Sequence, residues 1–230
     1  ELKNNGVNKN VDLVALSGPT HAEEVALNMP TTIVCACEKE DVAKYVQEVF
    51  NEGSLRVYTN PDVLGVELCG AVKTVIALAA GISRGLGYGD NAKAAIITRG
   101  MAEISRLGNA MGCDEKTFNG LAGIWDLIVT ETSEHSRNNR CGLYIGQGIP
   151  VKEAIEKVGM VVEGINALQA TMELARKYHV EMPISAMVND VVYKGVNPKD
   201  VLGLLMARET KAEIQHAYEN SIINNKDING

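Results

Sequence analysis

The chain reads as mainly α, with an α/β stretch over residues 1–60 followed by helices nearly to the end. Three observations predict this. Short β-rich runs alternate with helical stripes as far as Asn60-Pro61. Beyond that point apolar residues recur at helical spacing, with helix start signals between the segments. Aromatics make up only 4% of the chain while Ala, Val, Leu, Ile and Gly are plentiful, which favours close helix packing.

The elements follow in order. Residues 11–16 (VDLVAL) form a short β-rich run that ends at Ser17-Gly18-Pro19. Thr20-His21-Ala22-Glu23 matches a capping box, in which the threonine hydroxyl accepts from the Glu23 amide, and a helix through 24–27 follows. Residues 31–36 (TTIVCA) are the next strand. Apolar residues at 42, 45, 46, 49 and 50 give residues 41–50 a helical stripe, and 55–58 (LRVY) is a last strand. This alternation predicts a parallel or mixed sheet too small to stand alone. After Pro61, helices are expected at 62–82, 89–111, 115–121, 124–133, 137–147, 151–156, 163–178, 184–194 and 198–206. Asn197-Pro198 sets Asn at an N-cap and Pro at the first helical position. The polar tail 219–230 is expected to fray.

Composition narrows the function. The net charge of -7 offers no basic field, so nucleic acid is not expected as a partner. The five cysteines form no Cys-x-x-Cys, and the expected state is reduced, in the cytoplasm. Cys35-Ala-Cys37 lacks the companion ligands of a metal site, and no metal is expected. The polar start of the chain shows no signal peptide. Residues 63–83 are long enough to cross a bilayer, but Glu67 and Lys73 would each cost roughly 2.5–3.5 kcal/mol at its centre, so no membrane insertion is expected.

Lys73 is the first candidate for chemistry. At helical spacing its neighbours are Val66, Cys69, Gly70, Ile76, Ala77 and Ala80, none of which pairs with an ammonium. A cation there needs a partner or a task. Asp126, set among Ile124, Trp125, Leu127, Ile128 and Val129, is as isolated as the lysine. It is either an N-cap or the lysine's counter-charge. Ser136-Arg137-Asn138-Asn139-Arg140 precedes a helix and suits an anion, unless it is a solvated loop. The run Gly85-Leu86-Gly87-Tyr88-Gly89-Asp90-Asn91 follows a helix rather than a strand, so it reads as a turn with Asp90 or Asn91 as a cap. His21 and His135 lack a carboxylate in a recognisable spacing and read as structural or exposed.

Together these segments resemble the NAD(P)-dependent glycerol-3-phosphate dehydrogenase family of bacterial type. The resemblance is carried by LSGPTHAEEVA at 16–26, ELCGAVKTVIALAAGISRGLGYGDNAKAAIITRG at 67–100, TFNGLAGIWDLIVTETSEHSRNNR at 117–140 and GMVVEG at 159–164. It implies an all-helical, 6-phosphogluconate-dehydrogenase-like body over 61–230, preceded over 1–60 by the last strands and helices of a truncated Rossmann domain. It implies an oxidoreductase that interconverts sn-glycerol 3-phosphate and dihydroxyacetone phosphate with NAD or NADP, feeding glycerophospholipid synthesis in the cytoplasm. Lys73 would move the proton of the C2 oxygen, and Asp126 would hold the lysine. Gly18, Thr20, Ser136, Arg137 and Asn138 would complete the substrate site, and Ala22, Arg137, Val161 and Glu163 would contact the cofactor. Where many relatives read Lys-Asn, this chain has Lys73-Thr74, a change that alters one hydrogen bond. The family's glycine fingerprint and a further substrate-site lysine are absent, so the chain alone is expected to bind NAD(P) weakly and to lack turnover; a homodimer is also expected. Two rival readings stand: another β-hydroxyacid-type dehydrogenase, and a non-catalytic helical module for dimerisation.

Overall fold

A computed structural model describes residues 11–133 and 136–201. His135, the end of the expected helix at 198–206, the tail 219–230 and the polar start at 1–10 lie outside the described residues.

The first part is a three-stranded sheet of order β1 (Ala15–Ser17), β2 (Thr31–Ala36), β3 (Leu55–Asn60). It is mixed: β1 runs antiparallel to β2, pairing Ser17 with Val34, and β2 runs parallel to β3, pairing Ala36 with Asn60. A parallel pair needs a crossover, which α2 (Glu40–Phe50) supplies. Ala43 of α2 packs with Ile33, Cys35, Cys37 and Val57 in a small core of its own. The first strand is shorter than the sequence run, because only its last residues find ladder partners. The capping box does not form: α1 (Ala22–Ala26) has His21 at its N-cap, and the Thr20 hydroxyl turns back to the Gly18 carbonyl at 3.3 Å.

The second part is helical and is built round α3 (Val63–Gly85). Asp62 caps it, accepting from the Gly65 amide at 2.9 Å. The other oxygen of the same carboxylate takes the Thr117 hydroxyl at 2.8 Å and the Asp114 amide at 2.9 Å, which ties α5 (Glu115–Phe118) to the start of α3. Around α3 stand α4 (Asp90–Met111), α6 (Asp126–Thr132), α7 (Arg137–Gly146), α8 (Val151–Val158), α9 (Glu163–Lys177) and α10 (Pro183–Lys194). Among the described residues α3 alone is long and apolar enough to cross a membrane, and most of it is buried by these neighbours. A continuous core runs from Leu68 through Ile76, Leu107, Phe118, Leu127 and Leu168 to Val188. At the far end Glu103 of α4 accepts the Ser185 amide at 3.1 Å and its hydroxyl at 3.0 Å, closing the start of α10. Asn197 caps the next helix through the Lys199 amide, as its sequence predicts.

Two other expectations change. The turn after α3 exists, but Gly89 is the N-cap of α4 and no side chain caps it, because Asp90 already lies inside the first turn. The helix expected at 115–121 stops at Phe118 and is followed by a π-turn, Leu121–Trp125, broken at Gly123.

The contact of α3 with α7 is backbone against backbone. A Cβ on Gly81 would lie 2.1 Å from the Asn139 carbonyl oxygen, one on Gly142 2.2 Å from that of Leu78, and one on Gly146 2.2 Å from that of Ile82. Gly142→Ala is therefore expected to destabilise the chain by about 1–3 kcal/mol in chemical denaturation, despite alanine's better helix propensity.

Candidate active site

Lys73 lies three turns into α3, and Asp126 is the first residue of α6. They form an ion pair. The Asp126 side chain is 3% exposed and that of Lys73 19%, so the lysine keeps a narrow path to solvent while its partner has none. Burial pushes the Asp126 carboxyl above its ordinary value, and Lys73, the Thr130 hydroxyl and the charge of His21 draw it back. Asp126 is not a cap: Trp125 before it is already helical, so the π-turn and α6 run on without a break. Cys69, one turn before Lys73, has its thiol pushed up to about 12 by burial and supplies a neutral wall rather than a nucleophile.

Two further groups belong here that the sequence reading passed over. Thr130 donates to the Asp126 carbonyl at 2.7 Å, and its oxygen lies 3.5 Å from the carboxylate. The signal was available: Thr130 follows Asp126 at i+4, on the same helical face. His21, read as structural or exposed, sits close enough to act on Asp126 by its charge. No local spacing shows this, because His21 stands at the start of α1 and Asp126 on α6.

Two further candidates are tied to the start of α9, which packs on α3 beside Lys73. The Gly164 amide donates to the Asn138 side-chain oxygen at 2.9 Å. A Cβ on Gly164 would stand 2.5 Å from the carbonyl oxygen of Thr74, so α9 begins directly on the turn that carries Lys73. Arg137, half-buried, sets a guanidinium nitrogen 3.5 Å from a carboxylate oxygen of the exposed Glu163. An exposed pair of this kind is worth only about 0–1 kcal/mol, so an anion can displace it readily. Ser136 accepts from the Asn139 amide at 3.3 Å and is the N-cap of α7. The Thr74 hydroxyl turns back to the Ala71 carbonyl at 2.6 Å.

On the sheet side, Ser17 at the end of β1 comes within 3.4 Å of where a Cβ on Gly70 would lie, one turn before Lys73. Gly18 follows with φ +147, a conformation that suits glycine, and a Cβ there would lie 3.1 Å from the Ile33 Cα. Thr20 and Ala22 are exposed beyond it. Val161 is 61% exposed, two residues before Glu163.

Fold and site define a class: an all-helical body round one buried helix, joined to a mixed α/β sheet and holding a buried lysine–carboxylate pair where the two parts meet. Comparison with known proteins gives the family. The profile of the NAD-dependent glycerol-3-phosphate dehydrogenase C-terminus matches residues 62–203, and that of the N-terminus matches residues 2–43. The chain belongs to the NAD-dependent glycerol-3-phosphate dehydrogenase family. It is 60% identical over 214 residues to a Lactobacillus delbrueckii subsp. bulgaricus protein named glycerol-3-phosphate dehydrogenase NAD(P)+ 2, covering 93% of this chain and 64% of the relative. It is 51% identical over 211 residues to the Shouchella clausii glycerol-3-phosphate dehydrogenase NAD(P)+, covering 92% of this chain and 62% of the relative. The chain thus spans less than two thirds of the length of these relatives. The Coxiella burnetii glycerol-3-phosphate dehydrogenase crystal structure superposes with a TM-score of 0.84 at 40% identity, over 86% of this chain and 61% of that one.

A buried pair couples its two members. Removing either leaves a charge with little solvent, so Lys73→Met and Asp126→Leu are each expected to cost about 3–5 kcal/mol. The double substitution is expected to cost less than the sum of the two. Urea denaturation of the four proteins measures this, and additive costs would show that the pair is not coupled.

Proposed function

We propose that these residues form the substrate half of an enzyme that interconverts sn-glycerol 3-phosphate and dihydroxyacetone phosphate with NAD or NADP. The observation that carries the reading is the junction of the Lys73–Asp126 pair with Arg137 and Asn138 through Gly164 and Thr74. A proton-bearing group and a guanidinium carried on adjoining helices suit a phosphorylated hydroxy-ketone.

The ion pair with Asp126 sets the Lys73 ammonium where it can serve as a proton donor. In the reductive direction Lys73 gives that proton to the carbonyl oxygen at C2, and in the oxidative direction it takes it from the C2 hydroxyl. Asp126 fixes the ammonium and, with Thr130, offers oxygens to the substrate hydroxyls. Arg137, released from Glu163, holds the phosphate, with Asn138 and the start of α7 behind it. Gly18 and Thr20 close the site from the sheet.

When bound, NAD(P) supplies the hydride or accepts it. The exposed Val161 beside the Arg137–Glu163 pair fits a flat ring next to an anionic linker, and Ala22 adds a small contact from α1. In this reading residues 1–60 belong to the dinucleotide-binding part and residues 61–230 to the substrate part. A cytoplasmic place and a supply of phospholipid precursor belong to the same reading, as does association into a homodimer.

In the full-length enzyme, Lys73→Ala is expected to lower kcat about 10²–10⁴-fold. Arg137→Ala is expected to raise KM for glycerol 3-phosphate about 10–150-fold, the worth of one charge-assisted contact. Steady-state kinetics checks both, and efficient use of a non-phosphorylated hydroxy acid would contradict the assignment.

A further inference from the structure

Glu131, at the far end of α6 from Asp126, is 3% exposed, and neither of its carboxylate oxygens has a hydrogen-bond partner. The side-chain oxygen of Asn139 on α7, also 3% exposed, lacks a partner too. All three atoms are acceptors when the glutamate is ionised, and each would be costly to leave unpaired. The two side chains are neighbours: both line a cavity of about 100 Å³, and the Asn139 amide is near enough to act on the Glu131 charge. No hydrogen bond of ordinary geometry joins them.

One proton resolves all of this. A neutral carboxyl donates its O–H to the Asn139 oxygen, and the Asn139 amide nitrogen donates to the other Glu131 oxygen. We propose that Glu131 is a positioning residue, which in its acid form clasps Asn139 in a two-bond acid–amide pair and so holds α6 against α7. The placement gives the clasp its meaning. Helix α6 begins with Asp126, and α7 begins with Arg137 and Asn138. The catalytic consequence rests on the function proposed above; the clasp itself does not.

Burial favours the acid form, pushing the carboxyl up to about 8, with the charge of Lys93 and the Asn139 amide opposing it. The charged and titratable groups round the cavity are Arg84 of α3, Tyr88 of the following turn, and Asp90 and Lys93 of α4. Arg140 follows Asn139 on α7. The sign follows from the raised value. Between the ordinary value of 4.5 and about 8 the unfolded chain loses this proton while the folded chain keeps it. Stability from this group therefore falls as pH rises through that window, by up to about tenfold in the folding equilibrium per pH unit, and levels off above it.

The test compares wild type, Glu131→Gln and Glu131→Ala. Glutamine can make the same two bonds with Asn139 and cannot ionise. Three readouts are taken between about pH 6 and pH 9.5, a span that brackets the Glu131 transition: thermal midpoint, the infrared band of a protonated carboxylic acid, and affinity for glycerol 3-phosphate. Wild type is expected to lose stability relative to Glu131→Gln up to about pH 8, to lose the infrared band as pH passes through about 8, and to bind glycerol 3-phosphate more weakly above it. Glu131→Gln lacks the band, keeps its affinity across the range and shows no matching stability slope. Glu131→Ala is weak in both stability and affinity throughout.

Parallel stability curves for wild type and Glu131→Gln would overturn the clasp, as would a Glu131→Gln protein that behaves like Glu131→Ala. A stability difference with no difference in affinity would overturn the positioning role. Absence of glycerol 3-phosphate binding in all three proteins would count against the proposed function, while the melting curves would still judge the clasp.

Discussion

The backbone contact between α3 and α7 is the constraint on which the site depends. Gly81, Gly142 and Gly146 have no room for a Cβ, so the two helices meet at main-chain distance. That closeness turns one helix position into another. Once Gly142 rests on Leu78, the start of α7 has little freedom, and Arg137 and Asn138 must emerge beside the stretch of α3 that follows Lys73. Gly164 repeats the device from α9, against the Thr74 carbonyl, and its amide then reaches Asn138. Small residues thus do the positioning, and the polar side chains inherit their places.

Several carboxylates among the described residues are met by named partners. Asp126 has Lys73 and Thr130. Glu103 has the start of α10, where two amides and a hydroxyl converge on it. Asp62 binds the start of α3 to α5. Such groups add specificity of arrangement more than net stability, since desolvation offsets much of what each contact contributes. Lys73 keeps part of its side chain open, as the proton exchange proposed for it requires.

Much of this was legible in the sequence, for physical reasons that differ by element. The long helices were readable because their apolar period is strong, as in α3, α4 and α9. The anomaly of a lysine and an aspartate in apolar runs pointed correctly to their meeting. What failed was local. The box at Thr20 has the right letters, but the chain turns at Gly18 and the threonine folds back on it. Asp90 looks like a cap and is already inside its helix. The π-turn at Leu121–Trp125 leaves no periodic trace, and His21 comes within electrostatic reach of Asp126 only through the fold. Composition could not reveal the Glu131–Asn139 contact, because it depends on how two short helices are set against α3.

The most direct test of the central claim is a crystal structure of this chain with dihydroxyacetone phosphate. The account predicts the C2 oxygen within about 3 Å of the Lys73 Nζ. It also predicts the phosphate on Arg137 and the start of α7, with the Arg137–Glu163 contact broken. A ligand bound away from Lys73, or one whose phosphate leaves Arg137 on Glu163, would contradict it.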